Sequence, residues 1–163
     1  MTGTAQVRDL GTKHRITASK GDSEMIVRSI LVVDDDQYTL EAMRRILKPP
    51  GYAVSFSFGG LDAINFLNHE TVDLVITDIL MPDGDGLALV NTLRKNFPNI
   101  RVVAMSGGGK VSASDYLLMA RGFGASLVLR KPFSRDDLLT AIKTIETHSP
   151  ASASPFKVLE KEA

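Results

Sequence analysis

Cysteine is absent from all 163 residues, which removes disulfide frameworks, thiol nucleophiles and cysteine-ligated zinc from consideration. Histidine is nearly as scarce, and His14, His69 and His148 are too scattered to suggest a histidine metal cluster. No apolar stretch reaches the roughly 20 residues that a membrane span requires, and the N-terminus lacks a hydrophobic signal core. A cytoplasmic protein with no membrane partner is therefore expected. An excess of one charge is lacking too, because 19 Lys and Arg meet 19 Asp and Glu. Residues 29 to 148 are slightly acidic and offer no basic stripe, so no nucleic-acid partner is expected.

With 44% hydrophobic residues the chain can bury one good core, and it is too short for two typical domains. Residues 1–28 show no apolar periodicity, and residues 149–163 open with Ser-Pro-Ala-Ser-Ala-Ser-Pro; both read as mobile tails around a domain at 29–148. Within it, short Val, Ile and Leu runs alternate with amphipathic segments. Strands are expected near 30–33, 53–58, 74–77, 101–105 and 126–130, and helices near 37–47, 60–68, 86–96, 113–122 and 134–147. Near-continuous apolar strands alternating with helices predict a doubly wound parallel α/β sheet of five βα units. Pro49-Pro50-Gly51 stops the first helix, and Ser134 with Asp137 three residues later opens the last one as a capping box.

The chemistry lies at the strand ends. Ile30-Leu31-Val32-Val33 runs into Asp34, Asp35 and Asp36, and Leu74-Val75-Ile76-Thr77 runs into Asp78. Ser106 ends the third run of this kind and Lys131 follows the fourth. Open α/β sheets bind ligands beyond the carboxyl ends of their strands, where all these residues fall. Crowded carboxylates repel one another unless a cation compensates them. A hard, oxygen-loving ion such as Mg²⁺ (or Mn²⁺) suits the site and also accepts phosphate oxygens, so a carboxylate can serve as nucleophile in phosphoryl transfer. Asp36 reads as a helix N-cap. Gly107-Gly108-Gly109-Lys110 is no P-loop, because Ala104 stands where the first glycine belongs and Val111 where Ser or Thr should follow.

Leu31-Val32-Val33-Asp34-Asp35, Asp78-Ile79-Leu80-Met81-Pro82-Asp83-Gly84-Asp85-Gly86, Ser106 and Lys131-Pro132-Phe133 together resemble the receiver domain of bacterial response regulators, the CheY-like family. The resemblance implies a flavodoxin-like (βα)5 fold with strand order 2-1-3-4-5. It implies that Asp78 is the phosphoacceptor, that Asp35 binds Mg²⁺ directly and Asp34 mostly through water, and that Leu80 supplies a backbone carbonyl to the metal. Ser106 would turn its hydroxyl toward the phosphoryl group, with Lys131 as the ionic partner, and the bond before Pro132 would be cis. The implied donor is a sensor histidine kinase or a histidine phosphotransfer protein.

Two departures mark this chain. Val128 stands where the family often has an aromatic switch residue, which speaks against a simple Ser-to-aromatic coupling, and the glycine loop after Ser106 is longer than in the chemotaxis receiver. The expected protein is a stand-alone receiver, a phosphoacceptor rather than a turnover enzyme, with output by binding a downstream protein target or by forming a homodimer. Tyr116 and Met119, on the helix after the glycine loop, are the expected partner surface, since apolar residues at 116–119 sweep round the helix and cannot all face the core. One rival is a phosphatase of the haloacid dehalogenase type, whose first motif Asp34-x-Asp36 mimics. It would place the nucleophile on the first strand and require an acidic pair beyond the lysine, where Pro132-Phe133 stands instead. The other rival is a pseudo-receiver scaffold, which usually has lost its acceptor.

Overall fold

The computed structural model describes residues 26–82, 85–107, 122–147 and 157–159. Strands β1 (Ser29–Val33), β2 (Ala53–Ser57), β3 (Leu74–Asp78), β4 (Arg101–Ser106), β5 (Leu127–Arg130) and β6 (Lys157–Leu159) form one sheet in the order β2-β1-β3-β4-β5-β6, with every pairing parallel. The described helices are α1 (Gln37–Leu47), α2 (Gly60–Leu67), α3 (Asp85–Asn96) and α4 (Arg135–Thr147). Residues 113–121 of the helix expected at 113–122, and with them Tyr116 and Met119, lie outside the described residues.

Alternation along the strands feeds two cores. Ile30, Val32, Leu74, Ile76, Val103, Met105, Leu127 and Leu129 face a layer closed by α1 and α4. Leu31, Val33, Val75, Val102, Ala104 and Val128 face the layer of α2 and α3. The helices meet the sheet on one stripe each: Leu40, Met43 and Leu47 on α1, and Leu138, Ala141, Ile142 and Ile145 on α4. Each fully buried Leu or Ile among them contributes on the order of 2 kcal/mol. Such double-sided burial is why the strands read as unbroken apolar runs.

The caps behave as the sequence predicts. Asp36 takes the N–H groups of Tyr38 and Thr39, and Ser134 and Asp137 bond reciprocally at the start of α4. Gly51 sits at φ 88° after α1, a conformation that favours glycine. At the other end of the sheet, Asp73 Oδ2 accepts from the N–H of Arg28 (2.9 Å), the N–H of Ser29 (2.8 Å) and the Ser29 hydroxyl (2.8 Å). That clamp ties the start of β1 to the residue preceding β3.

The sheet departs from expectation at its far edge. Lys157–Leu159 falls in the segment read as a mobile tail, yet it pairs with β5 at Leu127↔Lys157, Val128↔Val158 and Leu129↔Leu159. The expectation of a tail is corrected for these three residues. The physical reason is non-local: β5 offers an edge of unpaired backbone groups, which a short Val-Leu segment can satisfy.

Candidate functional site

The site lies at the carboxyl edge of β1, β3, β4 and β5. Asp34 is the first residue past β1 and is 1% exposed; its N–H donates to the Ser57 carbonyl (3.2 Å), which fixes it beside the end of β2. Asp34 Oδ1 accepts the N–H of Asp36 (2.9 Å), and Oδ2 accepts Lys131 Nζ (3.1 Å). Asp78 ends β3, with Oδ2 accepting Lys131 Nζ at 2.7 Å and Oδ1 accepting the N–H of Leu80 at 2.9 Å. Asp35 is exposed, and one carboxylate oxygen from each of Asp34, Asp35 and Asp78 lies within 4.8 Å of the others. Lys131 is placed by its own backbone, whose N–H donates to the Ser106 carbonyl at 2.7 Å, and the Lys131–Pro132 peptide is cis.

Electrostatics follow from this geometry. Burial pushes the Asp34 carboxyl above its ordinary range, against the Asp36 N–H and the Lys131 ammonium, which favour the charged form. Burial alone would lower Lys131, but its hydrogen bond to Asp78 and the charges of Asp34 and Asp78 prevail and raise it. Asp36 is held below the usual carboxylate range by the Tyr38 N–H and the Thr39 hydroxyl, as befits a cap. One ammonium facing three carboxylates leaves a formal charge of −2, which matches a divalent cation.

Ser106 Oγ is the unusual atom. The residue is 0% exposed, and its hydroxyl has no hydrogen-bond partner among the described residues. A hydroxyl left unpaired this deep is costly.

Sequence reasoning quoted Gly86 only as part of a turn motif. The structure gives it a different part: a Cβ there would run into the Asp78 carbonyl oxygen and lie 2.6 Å from the Ile79 Cα. Only glycine lets α3 approach β3 directly behind Asp78. Val128, at the aromatic-switch position, is buried on the α2/α3 side, and Phe123 packs against the same cluster. Asp34, Asp35, Asp78 and Lys131 are thus brought together, with Ser106 on the adjoining strand end.

An acidic pocket, a lysine and a buried hydroxyl at the carboxyl edge of a parallel sheet define a doubly wound α/β module with an acidic ligand site. The chain belongs to the response regulator receiver domain family, whose model matches residues 30–143. Its flavodoxin-like fold and that membership agree with the resemblance read from the sequence. Response regulator MprA of Mycobacterium sp. (strain KMS) is 31% identical over 126 residues, covering 77% of this chain and 54% of that protein. The chain thus spans about half the length of this relative. Transcription factor SKN7 of Candida albicans is 33% identical over 109 residues, 67% of this chain and 19% of that protein. Among solved structures, the CheY-like receiver domain protein of Methanospirillum hungatei superposes with a TM-score of 0.65 at 28% identity, covering 74% of this chain and 94% of the other. No helix of the described residues is long and apolar enough to cross a membrane.

Proposed function

We propose that Asp78 accepts a phosphoryl group from the phosphohistidine of a sensor histidine kinase or a histidine phosphotransfer protein. The observation that carries this reading is the Asp78 carboxylate, which ends β3 in contact with Lys131 and within reach of Asp34 and Asp35. An oxygen of Asp78 attacks phosphorus, the phosphorus–nitrogen bond breaks, and the imidazole leaves. Asp35, Asp34 and Asp78, with the Leu80 carbonyl, would hold Mg²⁺ or Mn²⁺, which when bound neutralises charge on the transferring group. Lys131 exchanges its bond to Asp78 Oδ2 for a phosphoryl oxygen, and the Ser106 hydroxyl gains its missing partner there. The phosphatase rival would need its nucleophile at the end of β1, at Asp34, which is 1% exposed against 8% for Asp78, and an acidic pair beyond the lysine, where Pro132-Phe133 stands.

The signal then passes by protein contact, in the cytoplasm, to a downstream target or a second copy of the chain. One relative is named as a transcription factor, and the match covers 19% of it, which stands against the expectation that this protein has no nucleic-acid partner. Incubation with acetyl phosphate, with and without EDTA, tests the reading. Label should appear on the wild type, vanish in Asp78→Asn and fall sharply with EDTA. Label persisting on another residue would overturn the assignment.

A further inference from the structure

Among the described residues, five large apolar side chains are strongly exposed: Ile26, Tyr38, Phe58, Leu61 and Leu80. Ile26 precedes β1, at the opposite end of the sheet. The other four follow the carboxyl ends of β1, β2 and β3, the edge that carries the acidic pocket. Tyr38, 77% exposed, is the second residue of α1, and Leu61, 78% exposed, is the second residue of α2. Phe58, 60% exposed, follows the last residue of β2, and Leu80 stands two residues past Asp78. Pairing sets the neighbourhood: Val33 aligns with Ser57 and Asp34 bonds to the Ser57 carbonyl, so the chain leaving β2 at Phe58 runs beside the chain leaving β1 at Asp34 and Asp35. Single exposed apolar residues carry no meaning, whereas Tyr38, Phe58 and Leu61 all follow the ends of two paired strands at one edge of the sheet, a grouping that suits an interface.

The charges of this rim are one-sided. Residues 34–39 and 57–62 include Asp34, Asp35, Asp36 and Asp62 and no Lys or Arg, and all but Asp34 are exposed. Asp78 lies below the rim, 8% exposed. A small phosphodonor can enter such a pocket alone, but a protein must lay its surface on the rim to bring a histidine side chain within reach.

We propose that Tyr38, Phe58 and Leu61 form a docking face on the β2 side of the pocket for the protein that delivers the phosphoryl group. That partner presents an apolar patch flanked by cationic side chains around its phosphohistidine. The inference rests on the phosphoacceptor reading and goes beyond it, since it names the contacts that separate a protein donor from a small-molecule one.

The test compares wild type with a Phe58→Asn, Leu61→Gln double variant using two donors. One is phosphoramidate; the other is the histidine kinase of the source organism that labels the wild type fastest. Transfer from the kinase should lose at least about tenfold in kcat/KM, as for loss of apolar anchors at an interface, with labelling by phosphoramidate unchanged. Added salt should slow the kinase reaction of the wild type, because the rim attracts cationic groups. Unchanged kinase transfer in the variant would overturn the docking face, and so would an equal loss with both donors. Phe58→Leu, which keeps an apolar side chain, should retain most of the kinase rate. Failure of the wild type to take label from phosphoramidate would instead overturn the phosphoacceptor reading, and the inference with it.

Discussion

Replacing Ser106 by alanine should stabilise the unphosphorylated protein while weakening its response to phosphorylation. Ser106 Oγ is wholly buried and unpartnered among the described residues, so the folded state carries the cost of a dehydrated hydroxyl, about 1–3 kcal/mol. Alanine removes that cost and keeps the Cβ. It forfeits only the packing of one oxygen atom, a few tenths of a kcal/mol. The net gain is about 1 kcal/mol, which for a domain of this size raises Tm by roughly 4 °C. In the phosphorylated form the sign reverses, because alanine cannot donate to a phosphoryl oxygen, and a charge-assisted bond is worth about 1.5–3 kcal/mol. Thermal melts of wild type and Ser106→Ala, with and without Mg²⁺ and beryllofluoride, read both effects. The variant should melt higher alone and gain less from beryllofluoride. A variant that melts lower than wild type without beryllofluoride would show the hydroxyl to be bonded in the resting protein and refute the reasoning.

Lys131→Ala should cost about 3 kcal/mol without metal, since it strands the buried Asp34 carboxylate, and Mg²⁺ should restore part of that loss in denaturant titrations. Gly86→Ala should destabilise by about 1–3 kcal/mol and slow labelling of Asp78 by acetyl phosphate, because the added methyl pushes α3 off β3; an unaffected rate would mean that the helix yields instead. Burial opposes ionisation of Asp73, but its bonds from the Arg28 and Ser29 N–H groups and the Ser29 hydroxyl prevail and hold it below the ordinary carboxylate range. Its contribution to stability is therefore complete above the unfolded-state pKa, about 4, and is lost as pH falls through the lowered folded value. Asp73→Asn should lower stability at pH 7 by about 1–2 kcal/mol and flatten the acid limb of the curve, which urea titrations from pH 2 to 7 would show.

Most of the site was legible because each residue follows an unbroken apolar run, and a strand buried on both faces both announces itself and fixes where its end lies. Asp34, Asp35, Asp78, Ser106 and Lys131 could be placed at one edge without knowing a single distance. The caps at Asp36 and Ser134 were equally readable, since their partners lie two or three residues away. What failed to show were relations across the chain. The clamp of Asp73 on Ser29 spans 44 residues, and nothing local in Val72-Asp73 signals it. That the Ser106 hydroxyl has no partner among the described residues is a property of its surroundings, as is the room denied to a side chain at Gly86. Lys157–Leu159 carries no periodicity of its own and becomes a strand only because β5 offers an edge.

That sixth strand also governs which border of the sheet meets other molecules. With the lane beside β5 taken by the chain itself, the other border is β2, where Ala53–Ser57 bears no charged side chain and no proline to repel a foreign strand. Shortening the C-terminus before residue 157 would leave both borders without a neighbouring strand among the described residues. A molecule stripped of its insulated flank would then be able to line up with copies of itself from either side, and its state of association would come to depend on concentration.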